Sequence, residues 1–124
     1  ADWYGIKNII CSKETVEHTN PKVVQASMGA IFRVNVIYCD LHSFFSKTEL
    51  PIYGALLEGT NVFSQELLTN SILLLGNEGN GISTDLLPFI THPISIPRIG
   101  KAESLNVSIA GGILVTEFMR IGLK

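Results

Sequence analysis

The sequence predicts an α/β fold, a mostly parallel sheet with helices on both faces. Short β-branched or apolar runs alternate with segments of helical apolar spacing, the pattern of strand–helix–strand units. One run, Ser71-Ile72-Leu73-Leu74-Leu75, is apolar without alternation, as befits a central strand covered on both faces in a parallel sheet. The length of 124 residues matches one domain of about 100–150 residues, so a single core over residues 1–124 is expected.

In chain order, residues 6–10 (Ile-Lys-Asn-Ile-Ile) form a β-branched run after Gly5, a buried-strand signal. A polar stretch leads to Pro21, which suits the first position of a helix; Val23, Val24, Ser27, Met28 and Ile31 then repeat with helical spacing over residues 21–33. Residues 34–39 read as a second strand, and Asp40 as the cap of a short helix through Phe44 and Phe45. A third strand is expected over residues 52–57 after Pro51, a fourth over 71–75, and a last short one over 94–96 that Pro97 ends. Ser83, Thr84 and Asp85 are helix-capping candidates, and Ser104 is expected to cap a long helix from residue 105 to about 121.

Composition narrows the function classes. Hydrophobic residues make up 46% and charged residues 16% of the chain, with mean hydropathy +0.32, well above the apolar content of disordered chains. Nine Lys+Arg against eleven Asp+Glu leave a net charge of −2, so no generally basic surface holds nucleic acid by counterion release. Cys11 and Cys39 match no paired spacing for zinc or a redox dithiol and read as reduced, buried residues. His18, His42 and His92 are isolated, so no metal site is expected. No secretory start is present, and residues 105–116, the longest uncharged apolar stretch, are too short for the roughly 18–20 residues that span a bilayer. A soluble, cytoplasmic protein is expected. The opening Ala1-Asp2-Trp3-Tyr4-Gly5 reads as a cut from a longer polypeptide.

Two loops carry the chemistry. Gly76-Asn77-Glu78-Gly79-Asn80-Gly81 follows the fourth strand directly, and its glycines allow close approach of backbone to a ligand at the strand edge where open α/β sheets bind small molecules. It is neither a dinucleotide fingerprint nor a phosphate loop. Ile96-Pro97-Arg98-Ile99-Gly100-Lys101 leads from the last strand towards Ser104, Leu105 and Asn106 at the start of the last helix. Asn106 within a first helical turn, and Gly111-Gly112 deeper in that helix at about 1 kcal/mol per glycine, are unfavourable choices. They point to ligand contact by Asn106 and to close backbone packing at the glycines. Main-chain groups of the glycine loop would meet polar edges of a ligand, and Ile96, Leu105 and Leu57 would supply apolar walls.

Gly76-Asn77-Glu78-Gly79-Asn80-Gly81, then Ile96-Pro97, then Glu103-Ser104-Leu105-Asn106-Val107-Ser108-Ile109-Ala110 resemble the second and third signature motifs of the SpoU family of RNA ribose methyltransferases. Pro21-Lys22-Val23-Val24 with Ala26-Ser27-Met28-Gly29-Ala30-Ile31-Phe32-Arg33 resembles the helix that the family places between its first and second motifs. The resemblance runs in order along nearly the whole chain. It implies an α/β trefoil knot, S-adenosylmethionine as cofactor, a tRNA or rRNA substrate methylated on a ribose 2′-hydroxyl, and a homodimer. Carried over by motif, Gly76, Ile96 and Leu105 fall on cofactor-binding positions, and Glu78, Ser104 and Asn106 on residues that shape the pocket or approach methyl transfer. Asn77, Gly79, Gly81, Pro97 and Leu57 complete the expected cofactor contacts. The family's first motif, with an Asn and the Arg held to activate the ribose hydroxyl, lies upstream of a segment resembling residues 1–5. The chain is therefore expected to lack the domain's first strand and helix, and to be inactive alone. Arg33 and Arg98 are candidate RNA phosphate contacts. The alternatives are a non-catalytic cofactor-binding or dimerisation module, and an ordinary nucleotide-binding α/β domain.

Overall fold

A computed structural model describes residues 1–122, the Ile121 side chain excepted. The chain divides into two compact units, Ala1–Lys47 and Thr48–Lys124, each built on its own parallel sheet.

In the first unit β1 (Asn8–Cys11) pairs with β2 (Asn35–Tyr38), in register from Asn8 opposite Asn35 to Cys11 opposite Tyr38. α1 (Pro21–Ser27) starts as the sequence predicts, with Pro21 in its first turn and the Asn20 side chain accepting from the Lys22 N–H at 3.0 Å. It stops six residues short of Arg33. Met28 and Gly29 both take left-handed backbone, at φ 49° and 83°, and a 3-10 turn over Ala30–Phe32 follows. Helical spacing of apolar residues does not register such a reversal. α2 (Leu41–Phe45) is capped as expected: Asp40 accepts from the Ser43 N–H at 2.7 Å, and that bond holds the Asp40 carboxyl below the usual range.

A short 3-10 turn at Asp2–Tyr4 is tied to the turn after α1 by the Asp2–Arg33 ion pair, at 2.7 Å. The Arg33 guanidinium keeps the Asp2 carboxyl low. The cysteines are free, as expected, but half-buried rather than buried. They are neighbours, because the Cys39 N–H bonds the Cys11 carbonyl at 3.0 Å across the strand ends. Burial, then the second thiol, pushes the Cys11 thiol up.

In the second unit the sheet order is β4–β3–β5, all parallel: β3 is Ile52–Asn61, β4 Ile72–Leu74 and β5 His92–Ser95. Within this sheet β3 is central and β4, which the sequence placed centrally, flanks it. An unbroken apolar run reports burial on both faces and not position in a sheet. β3 outruns its predicted end because it breaks register: Ile94 of β5 pairs with Ala55 and again with Thr60, so residues 56–59 bulge between. The core joins Tyr53, Val62, Leu67 and Ile94 to Leu114 and Phe118 of α3 (Val107–Gly122), with Tyr53 and Phe118 meeting edge to face at 4.9 Å. Each such side chain removed from water contributes about 1.5–3 kcal/mol. Glu117, buried on the same helix, is held by both nitrogens of an Arg120 fork at 2.7 and 3.0 Å. Ser83 and Asp85 bond one another in a turn, and the 3-10 turn Leu87–Phe89 starts without a side-chain cap, so neither residue caps a helix.

Among the described residues no helix is long and apolar enough to cross a membrane, and no group of three or more His, Cys, Asp or Glu stands together to hold a metal.

Candidate functional site

The glycine loop leaves β4 through Leu75 and closes on itself. Asn77 and Gly81 form an antiparallel bridge with both N–H···O bonds at 2.9 Å, and the Asn77 side chain accepts from the Gly79 N–H at 2.8 Å. Gly81 takes φ +66°, the left-handed conformation that reverses the chain. At Gly76 the reason for glycine is space: a Cβ there would stand within 2.5 Å of the Ile82 nitrogen and nearer still to Gly81. The neck of the loop is two backbones in contact.

The bulge of β3 makes a second close approach. A Cβ on Gly59 would come within 2.7–2.9 Å of the Ile94 backbone, and the Ser95 hydroxyl donates to the Gly59 carbonyl at 2.9 Å. The bulge that carries Leu57 is thereby fastened to the strand end that launches Ile96. Sequence reasoning missed Gly59 and Ser95. The only available signal was the Glu58-Gly59-Thr60 break in an apolar run.

Asn106 joins the two predicted loops. Its Oδ1 accepts the N–H of Ser108 at 2.9 Å and of Ile109 at 3.3 Å, and its Nδ2 donates to Glu78 Oε1 at 2.8 Å. These bonds fix the orientation of the amide, since a flipped group would set NH2 against backbone N–H. α3 thus begins at Val107 with Asn106 as its cap, and not at residue 105 with Ser104 as cap. The helix penalty read for Asn106 disappears, because Asn is a favoured N-cap residue. What the sequence did detect is a residue whose amide is used at both ends, with Glu78 brought to it across 28 positions.

The other predicted residues lie as follows. Gly76, Asn77, Gly79 and Gly81 form the closed loop beside Glu78. Ile96 packs half-buried on the core. Pro97 and Ser104 are exposed in the loop. Leu105 and Leu57 stand 46% and 76% exposed and Ile99 fully so, apolar surface without cover inside this unit. Arg98, read as a phosphate contact, turns back to the Ala102 carbonyl at 3.0 Å. The packing expected at Gly111-Gly112 holds for Gly111, whose Cβ would meet Leu75 at 3.1 Å, and not for Gly112, which faces open space.

The donor set has a chemical bias. Among the described residues, the charged side chain bonded across the two loops is a carboxylate, and it lies at a helix start and a glycine loop rich in main-chain polar groups. A polyphosphate would meet Glu78 with like charge, whereas an uncharged or cationic ligand with polar edges and apolar faces would not.

The profile of the SpoU rRNA Methylase family matches residues 1–116, across both units. The 23S rRNA (guanosine(2553)-2′-O)-methyltransferase RlmP of Bacillus subtilis is 29% identical over 119 residues, covering 93% of this chain and 48% of that protein. The AdoMet-bound rRNA methyltransferase structure from Sinorhizobium meliloti matches at TM-score 0.86 and 28% identity, over 96% of this chain and 48% of its own. A Porphyromonas gingivalis protein assigned to the TrmH family of RNA methyltransferases matches at TM-score 0.84 and 39% identity, over 94% and 50%. The chain spans about half the length of these relatives. With its motif loops joined through Asn106 and Glu78 and its sequence matched to the profile almost end to end, the chain belongs to the SpoU rRNA methylase family.

Proposed function

We propose that the protein takes part in S-adenosylmethionine-dependent methylation of a ribose 2′-hydroxyl in RNA, with ribosomal RNA the favoured class and transfer RNA the other. The observation that carries this reading is the Asn106–Glu78 bond, which converts two separate loops into one site. The B. subtilis and S. meliloti relatives, both named for rRNA methylation, support it. The family profile runs across both units, which supports one methyltransferase domain over residues 1–124. The trefoil knot and the homodimer rest on the family resemblance alone, and the cytoplasmic location on the composition of the sequence.

The residues present fit the cofactor. The Asn77, Gly79 and Gly81 N–H groups are taken within the loop, so main-chain carbonyls at Gly76, Asn77, Gly79, Gly81, Ile96 and Pro97 would meet its polar edges, and Leu57 and Leu105, exposed in this unit, would cover its apolar faces. When bound, the cofactor supplies a methyl group on a positively charged sulfonium, with which a carboxylate is compatible. Asn106 holds Glu78 by Oε1 and leaves Oε2 to accept a hydrogen bond from a substrate hydroxyl. Ser104, exposed two residues before the cap, offers a hydroxyl on the same loop. Transfer to a ribose oxygen demands alignment above all, and a rigid pair of loops provides it.

Calorimetric titration with S-adenosylhomocysteine and, separately, ATP tests the reading. S-adenosylhomocysteine binding without ATP binding is expected; the reverse would replace it with an ordinary nucleotide-binding domain. A second reading is a cofactor-binding module that does not itself transfer the methyl group. Methylation of ribosomal RNA by this chain on its own would exclude that module.

A further inference from the structure

The loop from β5 to α3 is fixed at both ends, by Ile96 on the core and by Asn106 on Glu78. Between them, among the described residues, no backbone–backbone hydrogen bond closes residues 97–105. Pro97 has no N–H to give and Gly100 resists no conformation. One bond is present: Arg98 Nη1 donates to the Ala102 carbonyl at 3.0 Å, closing a five-residue turn. The turn presents Ile99 at its tip with the whole side chain in solvent. An arginine folded onto its own loop has given up rotamer freedom that an idle surface arginine keeps, and its charge strengthens the bond to a carbonyl.

We infer that Arg98 is a positioning residue, whose guanidinium clasps residues 98–102 into the shape that receives the cofactor between the two loops. The inference rests on the proposed function for the identity of the ligand and on the Arg98–Ala102 bond for the clasp. It gives Arg98 a role within the loop that uses one of its five N–H donors.

The test compares the full chain with Arg98→Ala, Arg98→Met and Arg98→Lys. Two quantities are read: affinity for S-adenosylhomocysteine by calorimetry, and the rate of cleavage after Lys101 by a lysine-specific endoproteinase, located by mass spectrometry. Loss of one charge-assisted bond predicts affinity about fivefold weaker and cleavage about fivefold faster for Ala and Met, with Lys, which adds a cleavage site at residue 98 and is therefore read by affinity alone, between them and the wild type, and no change in melting temperature. A Met variant equal to wild type would assign the effect to packing of the aliphatic stem and overturn the clasp. So would unchanged affinity in all three with unchanged cleavage in Ala and Met, or weakened RNA binding with cofactor affinity intact. If the wild-type chain fails to bind S-adenosylhomocysteine, the proposed function falls. The cleavage rates then still decide whether Arg98 closes the loop: faster cleavage upholds that part, and unchanged cleavage ends it.

Discussion

Residues 76–82 and 96–106 reach the same place by opposite means. The first loop is closed by its own backbone: a two-bond bridge, a left-handed glycine, and a neck too narrow for any Cβ. In the second, among the described residues, no backbone–backbone bond closes residues 97–105, and two side chains shape it, Arg98 within it and Asn106 at its end. A loop held by backbone is rigid whatever surrounds it. A loop held by side chains keeps its shape only while those groups stay engaged, which makes it the part of the site that a ligand can order.

Breaking the backbone loop gives the largest effect. Gly76→Ala places a methyl against the Gly81 and Ile82 backbone, where no side chain can turn away. The bridge must open, at a cost of about 2–3 kcal/mol, read as a shift of the urea midpoint with unchanged slope. Cofactor affinity should fall with it. Gly79→Ala, where the nearest atom is an ordinary 3.4 Å away and φ is not positive, is the control for stability and should leave the urea midpoint near wild type. Equal effects at the two positions would deny that the neck shapes the loop.

That contrast also explains what the sequence could reveal. Two of the loop's three glycines, Gly76 by space and Gly81 by its left-handed φ, record a backbone constraint directly, because glycine is the residue such geometry selects, so the first loop was legible. The junction was legible only in part. Asn106 stood out for the wrong reason, as a poor helix residue, when it is the cap. Arg98 carried no pattern and Gly59 only a break in an apolar run, since a side chain folding onto a carbonyl four residues away, or a bulge crossing a neighbouring strand, depends on where the chain has already been brought. The alternation of strands and helices gave the parallel pairing. It could not show that β3 is flanked by β4 and β5, or that α1 reverses at Met28-Gly29, because sheet order and left-handed turns leave no periodic trace.

The junction is tested by separating the two duties of Asn106. Asn106→Ala removes both the cap and the bond to Glu78, and about 1–2 kcal/mol of stability with them. Asn106→Asp keeps an oxygen for the Ser108 N–H, so the cap survives, but sets a second carboxylate against Glu78. Like charges at that distance raise the pKa of one of the pair. A carboxyl whose pKa is raised in the folded state favours folding more as pH falls through that pKa. Asn106→Asp should therefore bind S-adenosylhomocysteine about tenfold more weakly at pH 7 and approach wild-type stability below about pH 5, while Asn106→Ala shows no such recovery. A flat pH profile for the Asp variant would show that the bond to Glu78 does not hold the loops together.

The smallest effect lies on α3, where Gly111 and Gly112 face different surroundings. Gly111 lies over Leu75, the residue that leads into the glycine loop, and a Cβ there would press on the Leu75 methyl at 3.1 Å; Gly112 has nothing within 4 Å. If α3 is located by its contact with the root of the first loop, the two positions must respond with opposite sign. Gly112→Ala removes a flexible residue from an exposed helical position and should stabilise by about 0.5–1 kcal/mol. Gly111→Ala makes the same gain in helix propensity and spends it displacing Leu75, so it should be neutral or destabilising and should weaken cofactor binding, which Gly112→Ala leaves unchanged. Equal stabilisation at both sites would mean that Leu75 moves freely, and that the backbone loop is anchored by its own bridge without help from the helix above it.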